Sequence, residues 1–272
     1  DFMIKLALFD IDGTLTKEDG SISQTVIDKV KEAASHGVKI VLASGRPTFG
    51  MLELARTFGS DQNDGYIVSY NGCGIYHVPS GKYVSEHLLP SDTIAALDSA
   101  VNEYPDISPI YYSNEQIITT RRNEFVDFEA KLNNSIAYVL DSYPSLTPKV
   151  IWAAKPERLD QIELTARSLF ADRCTIARSL PCFLEFTPLG VDKAFALEEL
   201  CHKLNFSLKE TFACGDGGND KTMIERAGVG VAMANGRDEV KAVADFIAPA
   251  NTEDGVVVAI DKFLITPRTI SQ

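Results

Sequence analysis

Leu8-Phe9-Asp10-Ile11-Asp12-Gly13-Thr14-Leu15 decides how the rest of this chain is read. The residues leading into it, Ile4 to Phe9, are apolar apart from Lys5, as in a strand buried on both faces of a parallel sheet. The run stops at one carboxylate, meets a second two residues later, and reaches Gly13, which lets the backbone turn away. In open parallel sheets ligands bind just beyond the carboxyl ends of strands, so both acids stand where a site would be. Side by side they repel unless a cation or a shared proton compensates. Taken alone, the pattern also reads as a strand followed by an ordinary Asp/Gly turn. The rest of the chain has to separate the two.

With 272 residues the chain can bury one large or two moderate cores. Hydrophobic residues at 45% and charged ones at 24% match an ordinary soluble globular protein. A formal net charge of −12 argues against nucleic acid or an anionic membrane as a main partner. An acidic protein that handles an anionic substrate needs a local cation. No apolar segment approaches the roughly 18 residues of a membrane span, and the first residues show no signal-peptide pattern. Cys73, Cys174, Cys182, Cys201 and Cys214 form no CxxC pair, and four scattered histidines offer no zinc-ligand spacing. They read as reduced, buried small hydrophobes, and the expected location is the cytoplasm. There the Asn133-Asn134-Ser135 and Asn205-Phe206-Ser207 glycosylation patterns carry no meaning.

Downstream of the opening motif, Ser23 caps a helix with Val26, Ile27, Val30 and Ala34 on its apolar face, ended by Gly37. Val38 to Ala43 is a second apolar strand, ending in Ser44-Gly45-Arg46-Pro47, and a helix follows from about Thr48 to Gly59. Tyr66 to Tyr70 is a third strand, ending in Asn71-Gly72. This alternation predicts an α/β fold with a doubly wound, Rossmann-like parallel sheet. The rhythm then changes to a hairpin around Pro79-Ser80-Gly81, then to helices mixed with short, half-polar strands. An inserted α+β domain is expected over 83–183, with 1–82 and 184–272 forming the core. Within it, Glu124 to Leu140 is undecided but compatible with helix, and Pro156 opens a helix where proline is favoured. From Asp192 the first pattern resumes, and the strand Thr211 to Cys214 runs into Gly215-Asp216-Gly217-Gly218-Asn219-Asp220.

Three expected strands thus end in polar or acidic clusters: Asp10 with Asp12, Ser44 with Gly45, and Asp216 with Asp220. Lys193 opens a helix feeding the same sheet, a position unfavourable to the helix dipole. The chemistry consistent with the set is phosphoryl transfer assisted by a hard divalent cation. Mg²⁺ prefers oxygen ligands and keeps several waters, so Asp10, Asp216 and a backbone carbonyl at Asp12 suffice as protein ligands. Ser44 and nearby amides suit phosphoryl oxygens, and Lys193 suits the developing charge. Ser44-Gly45-Arg46-Pro47 and Asn71-Gly72 each read equally well as simple turns. The glycine-framed cluster at 215–220 does not, because packing gives no reason to crowd those groups behind a buried strand.

In these residues the chain resembles the haloacid dehalogenase-like (HAD) hydrolase superfamily, specifically its Cof-type phosphatases with a large α/β cap. Asp10-Ile11-Asp12-Gly13-Thr14-Leu15 matches the first motif, Ser44-Gly45-Arg46 the second, Lys193 the third and Gly215-Asp216-Gly217-Gly218-Asn219-Asp220 the fourth. Asn71-Gly72 and Asn251-Thr252-Glu253-Asp254-Gly255-Val256 extend the match, and the inserted region agrees only in position and length. The resemblance implies Asp10 as nucleophile, forming an aspartyl-phosphate, and Asp12 as general acid and then base. It implies Asp216 as a Mg²⁺ ligand, with Asp220 either a ligand or support for one. Asn219 would hold the phosphoryl group or the Lys193 side chain, and Arg46, Asn71 and Gly72 would lie near substrate. The inserted domain would be a cap that closes over the site and selects the leaving group.

The expectation is therefore a Mg²⁺-dependent phosphatase acting on small phosphorylated metabolites, sugar phosphates foremost, as a monomer. A hexose phosphomutase using the same site and a catalytically idle phospho-ligand binding module are the alternatives. Asp12 favours phosphatase or mutase, since family members working as ion pumps carry threonine there. Arg121, Arg122 and Lys155 in the cap read as solvated surface before they read as substrate contacts.

Overall fold

A computed structural model describes residues 3–265; residues 1–2 and 266–272, the outer ends of the expected core segments, lie outside it. The chain begins with β1 (Leu6–Phe9), α1 (Gln24–Ser35), β2 (Lys39–Ala43), α2 (Leu52–Thr57) and β3 (Tyr66–Ser69), then the hairpin β4 (Gly74–His77) and β5 (Lys82–Glu86). Next come α3 (Ser91–Val101), β6 (Ser108–Ser113), β7 (Gln116–Thr119), α4 (Glu124–Leu132) and β8 (Ala137–Val139). They are followed by β9 (Val150–Ala153), α5 (Pro156–Phe170), β10 (Cys174–Leu180) and β11 (Phe183–Pro188). The last stretch is α6 (Lys193–Leu204), β12 (Thr211–Gly215), α7 (Lys221–Arg226), β13 (Val229–Met233), α8 (Asp238–Lys241), β14 (Phe246–Ala248) and α9 (Gly255–Phe263). Two compact units result. One runs to Gly45, resumes over Met51–Val84 and again from Asp192, while the other holds Arg46–Gly50 and Ser85–Val191.

The first unit is built on a sheet of order β14-β13-β12-β1-β2-β3-β4-β5, parallel from β14 through β3 and antiparallel at β4. Because β1 lies between β2 and β12, the chain leaves it first to one side and later returns on the other. Its carboxyl end is the switch point where open α/β sheets bind ligands. All four residues of β1 are buried: Ala7 and Phe9 pack into the layer with Val26, Val30 and Ile260, and Leu6 and Leu8 into the layer with Leu197, Leu200 and Ile224. This two-sided burial is why the strand reads as a continuous apolar run. Ser23 accepts from the Val26 N–H to cap α1, and Gly37 beyond it stands at φ +89°, as the sequence leads one to expect.

The second unit is the inserted cap domain, with a sheet of order β10-β11-β9-β6-β7-β8 that is antiparallel except between β7 and β8. Ile94 and Leu97 of α3 and Leu159, Ile162 and Phe170 of α5 pack with Trp152, Leu184 and Phe186 on one face of it. The undecided stretch 124–140 resolves into two elements. Asn123 accepts from the Phe125 and Val126 N–H groups to start α4, and Asn134 at φ +48° turns the chain into β8. Among the described residues no helix is long and apolar enough to cross a membrane.

Candidate active site

Asp10 follows β1 directly, and its N–H donates to the Cys214 carbonyl at 2.9 Å, which ties the end of β1 to β12. Ile11–Leu15 then form one broad turn, broken at Asp12 and at Gly13, where φ is +83°. Gly13 is required twice over: the left-handed backbone favours it, and a Cβ there would lie 2.3 Å from Asp216 Oδ2. The turn separates the two opening acids by environment. Asp10 is 6% exposed, whereas Asp12 is exposed to solvent.

Lys193, fully buried as the first residue of α6, donates from Nζ to Asp10 Oδ1 at 2.9 Å, Asp220 Oδ1 at 2.5 Å and the Ala43 carbonyl at 2.9 Å. Three acceptors offset both burial and the unfavourable end of the helix dipole. Burial pulls the Lys193 ammonium down, but Asp10 and Asp220 outweigh it and hold the group above its ordinary range. Asp220 is also fully buried, and its Oδ2 accepts from the Asp216 and Gly217 N–H groups at 3.0 Å each. Both of its oxygens therefore have partners. Asp216 is half-buried, and its Oδ1 accepts from the Thr14 hydroxyl at 2.9 Å.

Asp10, Asp216 and Asp220 each offer an oxygen within 4.8 Å of the others. Burial, then Asp220, pushes Asp10 well above the usual carboxylate range; Lys193 opposes this and Asp216 adds to it. Asp216 is raised too, chiefly by burial. Three carboxylates against one ammonium leave a surplus of negative charge, and every donor is an oxygen. That set fits a hard divalent cation such as Mg²⁺, which would relieve the surplus. Cys214, beneath the cluster, is raised by burial and then by Asp220 and Asp10, consistent with an inert thiol; all five cysteines are buried and none forms a disulfide.

The other expected residues divide. Ser44 is buried at the end of β2, and its carbonyl accepts from the Asn71 N–H at 3.0 Å. Gly45 lies against the Asn71 side chain, where a Cβ would sit 3.1 Å from either amide atom. Asn219 donates one Nδ2 proton to Asn71 Oδ1 at 3.0 Å, while Lys193 is held by Asp10, Asp220 and Ala43. Arg46 groups with the second unit. Arg121 in the cap is structural: it donates to the carbonyls of Val101, the last residue of α3, and of Tyr104 and Ile107 in the segment that follows. Arg122 forms an exposed pair with Asp127.

The sequence assigns no individual role to Thr14 or Asn251, which fall inside matched stretches, or to Asn235, which falls outside them. Thr14 orients Asp216. Asn235 donates to the Gly13 carbonyl at 2.9 Å, and Asn251 donates to the Thr16 carbonyl at 2.8 Å while its N–H reaches Asn235 Oδ1 at 3.0 Å. Together they hold the opening turn from below. The signal for Asn235 was present: Ala234-Asn235-Gly236 follows β13 as the acidic clusters follow β1 and β12.

A site of this kind, at the switch point of a doubly wound sheet interrupted by a cap, belongs to one class. The chain is a member of the haloacid dehalogenase-like hydrolases, whose family model matches residues 7–260. It is 32% identical to YxeH of Bacillus subtilis (strain 168) over 97% of this chain and 99% of that protein. It is 29% identical to the 5-amino-6-(5-phospho-D-ribitylamino)uracil phosphatase YcsE of the same organism, over 97% and 98% of the two chains. The solved haloacid dehalogenase-like hydrolase from Bacteroides thetaiotaomicron superposes with a TM-score of 0.88 at 33% identity, over 95% of this chain and 99% of that one.

Proposed function

We propose that the protein is a Mg²⁺-dependent phosphatase of small phosphomonoesters, sugar phosphates foremost, working through an aspartyl-phosphate. The observation that carries this reading is the pairing of a buried Asp10, held by Lys193, with an exposed Asp12 two residues on. A carboxylate oxygen of Asp10 attacks phosphorus, and the bond from phosphorus to the leaving oxygen breaks. Asp12, open to solvent, acts as the general acid and gives a proton to the departing alkoxide. As a carboxylate it then takes a proton from water, whose oxygen attacks phosphorus. The bond to Asp10 breaks, and inorganic phosphate leaves.

Lys193 lies against Asp10 Oδ1, where it offsets charge on the nucleophile and on the transferring group. Asp10 and Asp216 would hold the cation, with the Asp12 carbonyl, while Asp220, occupied by Lys193 and two N–H groups, supports the loop that carries Asp216. When bound, the cation neutralises phosphoryl charge so that an anionic nucleophile can approach. Ser44, Gly45 and Asn219 would surround the phosphoryl oxygens. The preference for a phosphorylated polyol draws support from YcsE, a phosphatase of 5-amino-6-(5-phospho-D-ribitylamino)uracil.

The domain assignment proposed is a catalytic core over 1–82 and 184–272 and a substrate-selecting cap over 83–183. Phosphate release from a broad panel of phosphorylated metabolites with Mg²⁺, ranked by kcat/KM, tests the whole reading. Silence across the panel would sink it. Product analysis by NMR separates free sugar plus phosphate, the expected result, from the isomerised sugar phosphate of a mutase. Any metal-dependent turnover disposes of an idle binding module.

A further inference from the structure

The turn after β3 touches the segments that carry Ser44, Lys193 and Asn219. Tyr70, Asn71 and Gly72 stand in succession at φ +50°, +56° and +113°. A bulky aromatic residue in the left-handed region is an outlier, and such outliers persist where surrounding structure enforces them. Tyr70 is buried, 6% exposed, and the turn packs on α6.

Asn71 and Gly72 each have a defined neighbour. The Asn71 N–H donates to the Ser44 carbonyl, its side chain lies against Gly45, and its Oδ1 accepts from Asn219 Nδ2 at 3.0 Å. Gly72 runs against the residue that caps α6: a Cβ would lie 2.1 Å from the Asp192 carbonyl oxygen, one residue before Lys193. Lys193 in turn donates to the Ala43 carbonyl, next to Ser44. The loops bearing Ser44, Lys193 and Asn219 come from distant parts of the sequence, and this one turn contacts all of them.

We propose that Asn71 is a positioning residue, whose left-handed backbone and amide together set Ser44-Gly45 and Asn219 at the spacing a phosphoryl group needs. The inference rests on the phosphatase reading for the identity of that group. The carboxamide suits the task because asparagine tolerates the left-handed backbone while offering an acceptor to Asn219. Substitution of Gly72 by alanine cannot test it, since the added methyl enters the Asp192 carbonyl and threatens folding.

Asn71→Gly is the informative variant, because it keeps the backbone conformation and deletes the amide. Expected, with Mg²⁺ present, are a loss of about ten- to hundredfold in kcat/KM for p-nitrophenyl phosphate, the scale of a small misplacement. Affinity for inorganic phosphate, measured by calorimetry, should weaken about tenfold with the thermal midpoint unchanged, a combination that a merely structural role would not produce. Asn219→Ala should give a similar loss, and the double variant should be no worse than the worse single one. Unchanged phosphate affinity in Asn71→Gly, or losses that multiply in the double variant, overturn the inference. A wild-type protein that binds inorganic phosphate but releases none from any phosphomonoester sinks the phosphatase reading alone, and one that binds no phosphate sinks both.

Discussion

The core and the cap each bury a lysine between carboxylates, and the two clusters serve different ends. In the core, Lys193 lies between Asp10 and Asp220 at the ends of β1 and β12, with a further carboxylate, Asp216, half-open beside them. In the cap, Lys149 pairs with Glu185 at 3.2 Å on side chains 2% and 7% exposed, and its ammonium lies 5.3 Å over the Tyr112 ring. Glu129 nearby accepts from the Tyr112 hydroxyl at 2.6 Å and from Asn133 Nδ2 at 2.9 Å. The ingredients match; the balance does not. The cap sets Glu129 and Glu185 against one ammonium, whereas the core sets Asp10, Asp216 and Asp220 against one at a strand end. A surplus of that kind is a liability for stability and an opening for a cation.

The comparison breaks first at Asp10. Asp10→Asn should lower kcat by at least about 10⁴-fold, the scale of losing a covalent nucleophile. Its unfolding transition should stay where it is or rise, because burial and Asp220 already disfavour the ionised acid and the amide still accepts from Lys193. Substantial turnover in this variant refutes the nucleophile assignment. Glu185→Gln in the cap should do the reverse. It leaves Lys149 buried without its counter-ion and should cost about 3–5 kcal/mol in denaturant unfolding. Replacing both partners with Lys149→Met and Glu185→Leu should recover most of that loss, and failure to do so would show that the pair has a role beyond neutralising itself.

These clusters also show what a sequence exposes to reading. The core site was legible because its residues interrupt apolar strands: Asp10 after Phe9, Ser44 after Ala43, Asp216 after Cys214 and Gly215. The cap cluster was not, because Glu129, Lys149 and Glu185 look like ordinary surface residues when no strand end marks them. Locally, Lys193 stands out only as a cation at the unfavourable end of a helix dipole, and its burial becomes visible when α6 turns it inward. The role of Asn71 was hidden for another reason. Asn-Gly is a frequent turn, and its contacts with Ser44, Asn219 and Asp192 arise from chain segments far away in sequence.

A milder cut sharpens the core side of the comparison. Thr14→Val removes the hydroxyl that donates to Asp216 Oδ1 while nearly conserving volume. If Asp216 holds the cation, loss of this orienting bond should raise the Mg²⁺ concentration for half-maximal activity by about 10–100-fold, with little change in kcat at saturation. An unchanged Mg²⁺ dependence would assign Thr14 to packing and remove Asp216 from the metal's immediate ligands.

The smallest effect lies in the cap, and its sign follows from Glu129. Burial raises its carboxyl above the ordinary 4.5, and Glu185 adds to this, while Lys149 and the bonds from Tyr112 and Asn133 oppose it. Between 4.5 and that raised value the folded protein holds a proton the unfolded chain has lost. Folding stability from this group therefore falls as pH rises through the window, and above it the loss is complete. Glu129→Gln keeps an acceptor for Tyr112 and removes the titration. The variant's thermal midpoint, measured against the wild type, should thus gain steadily as pH rises above 4.5 and then level off. A gap that stays flat from pH 4.5 to 8, or that favours the wild type at neutral pH, would mean that Glu129 is stably ionised in the fold. The cap would then carry the same unrelieved negative charge as the core, and the contrast between the two clusters would fail.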